Sequence, residues 1–387
     1  MLVYLAAEDA TWLWVLRRDR IAFHQIGIGA KALAHEVSAL RGALDPGRNA
    51  DFAPFPAKHA YALYQKLLGP ALPLLDGAHH LIVVSDGALE SLPPSVLVTN
   101  PPERDPQSPA DHRGLAWLAR DYAITVLPVV TSLRALRQPV TAPGSPAPFL
   151  GIGNPVLAGK PGAERGIKLA SLFRGATADV EVVRQLPPLP ETADELRAIA
   201  RTLGAGDQDL LLGERASEPV LRQTPLDRYR VVQFATHGLV SGDLPGLTEP
   251  ALVLTPPKEA SPDNDGLLTA SKVATLKLNA EWVVLSACNT AADDGTPDAG
   301  GLSGLAKAFF YAGARSLLVS HWPVASQATV KLVTDAFVEL KNDPEIGRAE
   351  ALRRAEMAML DPKNPPEFAH PMMWAPFVLA GDGGAAR

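Results

Sequence analysis

Residues 231–238 read VVQFATHG, and residues 282–290 read WVVLSACNT. Each stretch begins with an apolar run rich in β-branched residues, which is typical of a strand buried on both faces of a parallel sheet. Each run then reaches a reactive side chain, His237 in the first stretch and Cys288 in the second. Because parallel strands bring their carboxyl ends to one edge of a sheet, we expect these two side chains to meet there although 51 residues separate them.

The sequence on either side of these two strands alternates between short apolar runs and amphipathic stretches. This alternation predicts an α/β fold with a mostly parallel sheet flanked by helices. The predicted strands are 149–152, 209–212, 231–236, 282–286 and 316–320. The predicted helices are 191–203, 219–226, 301–312, 327–341 and 346–360, and a final apolar run covers 374–379.

The first third of the chain has its own α/β pattern and ends in a proline-rich segment. Predicted strands lie at 2–5, 12–16, 20–26, 81–84 and 122–127, and predicted helices at 30–44 and 57–68. Four prolines fall within residues 139–148, which is typical of a linker between lobes. We therefore predict an N-terminal lobe at 1–138, a linker at 139–148 and a catalytic lobe at 149–387.

The composition excludes several classes of protein. The net charge is −6 and the basic residues are scattered, so no nucleic-acid partner and no membrane surface are expected. The N-terminus lacks the features of a signal peptide, and no apolar run reaches the ~18–20 residues of a membrane-spanning helix. These features predict a cytoplasmic protein. A single cysteine among 387 residues leaves no internal disulfide and no thiolate cluster. The histidines show no repeated ligand spacing, so we expect no metal. The segment Gly151-Ile152-Gly153 lacks the third glycine of a dinucleotide-binding loop, so we expect no cofactor.

The residue types at the predicted sheet edge suit acyl transfer. A thiol is a strong nucleophile near neutral pH, and an imidazole can accept its proton and later protonate a leaving amine. The backbone N–H groups of Gly238 and Cys288 could form an oxyanion hole. A histidine about 50 residues before an Ala-Cys pair is the order found in caspases, although Asn289 and Thr290 differ from the caspase pattern.

Further motifs extend this similarity over nearly the whole chain. They are LIVVSDGALESLP at 81–93, DGLLTA at 265–270, GLSGLA at 301–306 and WAPF at 374–377. With the two stretches quoted first, the chain resembles the CHAT family of caspase-like peptidases, of the same clan as caspases, separases and gingipains. The resemblance implies a caspase-like cysteine endopeptidase with a His237 and Cys288 dyad, and an N-terminal lobe that is a degenerate half without its own nucleophile.

The same resemblance implies where a substrate binds. Ser320, His321 and Trp322, which follow the last predicted strand, would line the substrate groove. His321 stands where the family often has leucine. Acidic residues also surround the dyad, and they are either a solvated loop or part of the pocket for the residue before the cut. They are Asp243 and Glu249 after His237, and Asp293, Asp294 and Asp298 after Cys288.

The expected function is cleavage of a specific protein or peptide substrate, within a bacterial signalling, defence or cell-death pathway and under the control of an activating partner or sensor. One alternative is a catalytically silent adaptor that binds partners through the same groove. A second is a thiol hydrolase of small molecules, which would need a closed pocket. Cys288 could also be a buried structural residue, since lone cysteines are often small core side chains.

Overall fold

The computed structural model describes residues 1–45, 53–137, 147–160, 179–239, 247–286, 304–322 and 326–384. Within these ranges, no helix is both long and apolar enough to cross a bilayer. The strands are β1 (Leu2–Ala6), β2 (Thr11–Leu16), β3 (Ile21–Ile26), β4 (His80–Val84), β5 (Ala123–Val126), β6 (Ala147–Gly153), β7 (Leu210–Leu212), β8 (Tyr229–Ala235), β9 (Gly238–Leu239), β10 (Ala251–Val253), β11 (Leu267–Thr269), β12 (Trp282–Leu285), β13 (Ser316–Ser320) and β14 (Phe377–Gly381).

Three long amphipathic helices have the same bounds as the predicted ranges 30–44, 57–68 and 191–203. The α-helices of the described residues are α1 (Ala30–Leu44), α2 (Ala57–Leu68), α3 (Leu72–Leu75), α4 (Leu118–Asp121), α5 (Ser132–Leu136), α6 (Val180–Arg184), α7 (Glu191–Leu203), α8 (Glu218–Gln223), α9 (Ala270–Ala274), α10 (Gly304–Tyr311), α11 (Ser326–Asn342), α12 (Gly347–Met359) and α13 (Pro371–Trp374).

The described residues form two compact units. Those within 1–135 and 331–387 make unit 1, and those within 136–296 and 302–330 make unit 2. The chain first passes from unit 1 to unit 2 after residue 135, close to the predicted end of the N-terminal lobe at 138. Residues 331–387, which the sequence assigns to the catalytic lobe, pack in unit 1 instead. The division into lobes that fold separately stays a prediction.

Unit 1 contains six sheet strands of mixed direction in the order β3-β2-β1-β4-β5-β14. The first three strands pair antiparallel, and β1, β4, β5 and β14 pair parallel. Side chains in β2 alternate between buried and half-buried, as expected for a sheet with one covered face. The pairing of β14 with β5 explains why the C-terminal residues belong to this unit.

Unit 2 contains five parallel strands in the order β13-β12-β8-β6-β7. Every residue of β12 and of β13 is buried, because helices flank the sheet and strands of this kind lose solvent on both faces. Helix α7 packs against β6, β7 and β8. The predicted α/β class, with a mostly parallel sheet flanked by helices, is confirmed.

A small antiparallel sheet of three strands, in the order β11-β10-β9, also belongs to unit 2. The sequence does not indicate this sheet, since strands of two or three residues are too short to show a hydrophobic period. Most of the predicted linker, 139–146, lies outside the described residues. Its last two residues, Ala147 and Pro148, begin β6.

Two buried histidines in unit 1 make its stability depend on pH. His370 Nδ1 accepts a hydrogen bond from the N–H of Met372 at 3.1 Å, and its Nε2 donates to the carbonyl of Ala53 at 3.0 Å. Both ring nitrogens are therefore occupied in the neutral form. Burial lowers the pKa of His370 to about 3, and the neighbouring His112, whose ring centroid is 4.5 Å away, adds to this shift. Burial also lowers the pKa of His112.

We expect acid to destabilise the chain through these histidines. Unfolded histidine titrates near pH ~6.5, so the unfolded chain binds the extra proton first and the free energy of unfolding falls as the pH drops below ~6.5. The slope is about 1.4 kcal/mol per pH unit for each such histidine. Guanidinium unfolding at several pH values measures it. His370→Asn, which keeps a capping side chain, should show a shallower slope than wild type, and the exposed control His35→Asn an unchanged one. Equal slopes for wild type and His370→Asn would contradict the assignment.

Candidate functional site

His237 lies at the carboxyl end of β8, two residues after its last residue, Ala235. Its backbone is held by the small antiparallel sheet, since the N–H of Val253 donates to the carbonyl of His237 at 2.9 Å. One residue earlier, Thr236 Oγ1 donates to the carbonyl of Val253 at 2.6 Å. The side chain of His237 is 1% exposed. The short sheet that the sequence did not predict therefore fixes the position of this histidine.

The imidazole of His237 is oriented by a backbone carbonyl. Its Nε2 lies 2.8 Å from the carbonyl oxygen of Pro187. Because a carbonyl can only accept a hydrogen bond, Nε2 carries the proton in the neutral ring and Nδ1 carries the lone pair. Nδ1 is then the nitrogen that can take a proton from an acid.

Pro187 was not among the predicted site residues. It stands in the segment Leu186-Pro187-Pro188-Leu189, whose two leucines are buried. Proline fixes φ and restricts the residue before it, so a Pro-Pro pair between buried leucines predicts a rigid extended segment. That signal was available in the sequence. The direction of the carbonyl of Pro187 was not, because it depends on how the segment packs against β8.

Cys288 and the three acidic residues Asp293, Asp294 and Asp298 lie outside the described residues, as does Asp243. Strand β12 ends at Leu285, three residues before Cys288 in the sequence. Leu285 is paired with Phe234 of β8, and the N–H of Ser286 donates to the carbonyl of Phe234 at 2.9 Å. Paired residues in these two strands thus differ by 51 positions, which is also the spacing between His237 and Cys288.

The N–H of Gly238 is directed away from the small sheet. Gly238 is opposite Leu252, while the ladder hydrogen bond runs from Val253 to His237. In an antiparallel ladder this pattern makes Gly238 and Leu252 a pair that exchanges no hydrogen bonds, so the N–H of Gly238, on the edge strand β9, points away from β10. The predicted role of Gly238 as an oxyanion donor requires this orientation.

The carboxyl end of β13 lies at the same edge of the sheet and carries Ser320, His321 and Trp322. Val319 is paired with Leu285 of β12, Ser320 is the last residue of β13, and His321 and Trp322 follow it. Their side chains are 2%, 6% and 1% exposed. The rings of His321 and Trp322 are 6.3 Å apart. The predicted groove-lining residues are thus near the described end of β12, with most of their surface covered.

A buried hydrogen bond connects β8 to helix α7. Gln233 Nε2 donates to Glu195 Oε1 at 2.6 Å, and both side chains are completely buried. Glu195 is on α7, the helix that follows the Pro187 segment, so this bond ties the segment to the strand that carries His237. The sequence analysis did not identify either residue, since a lone polar residue in a strand and one in a helix do not reveal their pairing.

An ion cluster braces the small sheet. The carboxylate of Glu218 accepts from the N–H groups of Asp265 and Gly266 at 2.9 and 3.1 Å. Lys272 Nζ lies 2.9 Å from Glu218 Oε1 and 2.6 Å from Asp265 Oδ1. Burial raises the pKa of Glu218, and the hydrogen bond from Lys272 opposes this shift. The cluster holds the turn between β10 and β11, and hence the strand that anchors His237.

The carboxylate of Glu249 is hydrogen-bonded at the start of α9. Its carboxylate accepts hydrogen bonds from the N–H and Oγ of Ser271 at 2.8 and 2.6 Å, in the first turn of α9. This acidic residue is therefore bound to a helix start. Among the described residues, no group of three or more histidine, cysteine or acidic side chains is arranged to hold a metal ion.

Comparison with known proteins places the chain in a family. It is 30% identical to mouse (Mus musculus) tetratricopeptide repeat protein 28 and 29% identical to the human (Homo sapiens) protein, each over 233 residues. These matches cover 50% of the chain but only 9% and 8% of the relatives, so the chain spans less than a tenth of their length.

Two solved structures of gingipain R were also matched. One is described as an Arg-specific cysteine proteinase, with a TM-score of 0.44 and 10% identity, covering 92% of this chain and 75% of that one. The other is a complex of pro- and mature domains from Porphyromonas gingivalis, with a TM-score of 0.44 and 9% identity, covering 90% and 75%. The CHAT domain family model matches residues 57–382. The chain therefore belongs to the CHAT domain family, which confirms the resemblance inferred from its motifs.

Proposed function

We propose that the chain is a cysteine endopeptidase in which His237 activates Cys288. The observation that carries the proposal is the hydrogen bond between His237 Nε2 and the carbonyl of Pro187. It leaves Nδ1 as the basic nitrogen of a ring located at the carboxyl end of a parallel strand. The neighbouring strand, β12, leads within three residues to the only cysteine of the chain.

Chain connectivity supports contact between the two residues. Cys288 comes two residues after Ser286, so its Cα lies within about 7.6 Å of the Cα of Ser286. Ser286 is itself hydrogen-bonded to Phe234 in the strand that carries His237. If the pairing offset of 51 continues beyond Leu285, Cys288 comes level with His237.

These groups can perform acyl transfer without a cofactor. His237 Nδ1 takes the thiol proton, and the Cys288 thiolate attacks the carbonyl carbon of the scissile peptide bond. The N–H of Gly238 donates to the oxyanion that forms. The imidazolium returns the proton to the leaving amine, and a water molecule, deprotonated by the same nitrogen, hydrolyses the thioester and regenerates the thiol.

Incubation with a peptide library and mass-spectrometric mapping of the cuts tests this function. Cuts that require Cys288 support it. Binding of peptides without any cut would indicate the silent adaptor, and hydrolysis of small thioesters without peptide cleavage would indicate the small-molecule hydrolase. The bacterial pathway and the cytoplasmic location stay predictions, since the curated relatives are animal proteins.

We expect cleavage after Arg or Lys, about 100-fold faster than after Asp, because a like charge in a partly desolvated pocket costs several kcal/mol. Matched fluorogenic peptides ending in Arg, Lys, Leu or Asp measure this preference. The candidate pocket residues are Asp293, Asp294 and Asp298. Replacing the aspartate that lines the pocket by asparagine should reduce the preference for Arg and Lys. Glu249→Gln is the control, since Glu249 is engaged with Ser271. Fastest cleavage after Asp would exclude an acidic pocket, and a preference for Leu would make the acids a solvated loop.

A further inference from the structure

Strands β1, β2 and β3 form an apolar surface that stays partly exposed to solvent among the described residues. Antiparallel pairing aligns Leu5 with Trp12, Trp14 with Phe23, and Leu16 with Ile21. Directly opposed residues share one face of a sheet, so these six side chains lie together. We call this surface the N-terminal apolar face. The opposite face of the same strands carries the buried Leu2, Tyr4, Leu13 and Val15.

Large side chains on this face remain in contact with solvent. Ile21, Phe23 and Leu5 are 71%, 53% and 47% exposed. The ring of Phe23 stacks on Trp12 at 5.3 Å and lies 5.0 Å from Trp14, so the aromatic side chains are already ordered by one another. Ordered aromatic side chains lose little conformational entropy on binding, which favours their use at an interface.

The size of the face indicates a weak interaction. Three strands about 4.8 Å apart and six residues long cover roughly 14 by 20 Å. The largest apolar patch on a typical monomer covers ~300–600 Å² and is often functional, and the N-terminal apolar face is near the lower end of that range. Stable complexes bury ~800 Å² per partner, so a patch of this size fits the class of weak and transient contacts.

The two ends of the face carry opposite charges. The turn between β1 and β2 exposes Glu8 and Asp9, and the turn between β2 and β3 exposes Arg18 and Arg20. Arg20 pairs with the adjacent Asp19 at 3.2 Å. Glu8, Asp9 and Arg18 form no ion pair with any residue that the structure describes.

This charge pattern fits a second copy of the chain. We propose that two copies associate through their N-terminal apolar faces about a two-fold axis that runs parallel to the sheet and perpendicular to the strands. Such an axis reverses the strand direction, so the acidic turn of one copy meets the basic turn of the other at both ends. An axis along the strands would instead place like charges together, which costs affinity. Two sheets packed in this way bury the aromatic side chains between them.

Sedimentation velocity over protein concentrations from about 5 to about 200 µM tests the proposal, because a weak contact populates the dimer only at high protein concentration. We expect a reversible dimer. Leu5→Glu and Phe23→Glu should each raise the dissociation constant about 30-fold, as expected for a charge placed in the centre of an interface. The control is Tyr311→Glu, which changes an 83% exposed aromatic residue on α10 of unit 2 and should leave the dimer unchanged.

A charge exchange tests the orientation without touching the apolar face. The double variant Arg18→Glu with Arg20→Glu makes both turns acidic, and the double variant Glu8→Lys with Asp9→Lys makes both turns basic. Each should be monomeric alone, whereas an equimolar mixture should form a heterodimer, since every contact across the two-fold axis then joins opposite charges. A mixture that stays monomeric overturns the proposed axis.

Two further outcomes overturn the proposal. A wild-type chain that remains monomeric at the highest concentration excludes the dimer. A dimer that forms equally well with Leu5→Glu excludes face-to-face packing, because Leu5 is on β1, two strands away from the open edge at β3. That result would indicate pairing of the β3 edges instead. Circular dichroism of each variant establishes that the fold is retained.

Discussion

Cys288→Ala is expected to abolish peptide cleavage, lowering kcat/KM by roughly 10³-fold or more. The chain has only one cysteine, so no second thiol can replace the nucleophile. The change from a thiol to a methyl group removes one atom and adds no charge, so thermal unfolding should be nearly unaffected. The measurement is mass-spectrometric mapping of cuts in a peptide library, with wild type and variant at equal concentration.

Alkylation by iodoacetamide provides a control for this experiment. The native wild-type protein should be labelled once, and Cys288→Ala not at all, because the label can attach only to this thiol. Equal cleavage by the two proteins would show that the activity has another origin. A wild-type thiol that resists alkylation when native but reacts when unfolded would indicate a buried structural cysteine.

His237→Ala should lower kcat/KM by roughly 10²- to 10⁴-fold, which is the contribution of a positioned general base. The loss should not add to that of Cys288→Ala, since the two residues act as one unit. Alkylation rates against pH give a second readout. Without the imidazole, the thiol should react mainly as the pH approaches ~8.5, the value of an ordinary cysteine, whereas the wild-type thiol should react at lower pH.

The matched control for this variant is His321→Ala. His321 is also buried beyond a strand at the same edge of the unit 2 sheet, but it follows β13 and not β8. The variant His321→Ala should affect KM more than kcat if His321 lines the substrate groove. If His321→Ala removed the low-pH alkylation while His237→Ala retained it, the role of general base would belong to His321.

The hydrogen bond from His237 to Pro187 cannot be removed at its acceptor by changing a side chain, because the acceptor is a backbone carbonyl. Its support can be weakened indirectly, through Gln233 and Glu195, which connect β8 to the helix that follows Pro187. These two residues act through other groups and would not touch a substrate.

The sequence by itself determined the core elements. The buried strands β8, β12 and β13 were predicted within two residues of their bounds, because continuous apolar runs report burial on both faces of a sheet. Helices α1, α2 and α7 were predicted with the same bounds as in the structure, since their apolar residues recur with the helical period. The family was also identified from motifs in the sequence.

Only the tertiary structure decided how distant segments meet. The hydrogen bonds of His237 reach Pro187, 50 residues earlier, and the strand β10 that follows it. The strand β14 returns to pair with β5, which the sequence could not indicate because an apolar run does not specify its neighbour in a sheet. Local patterns record how strongly each segment avoids water, whereas the partner of a backbone carbonyl or of a strand edge depends on the packing of the whole chain.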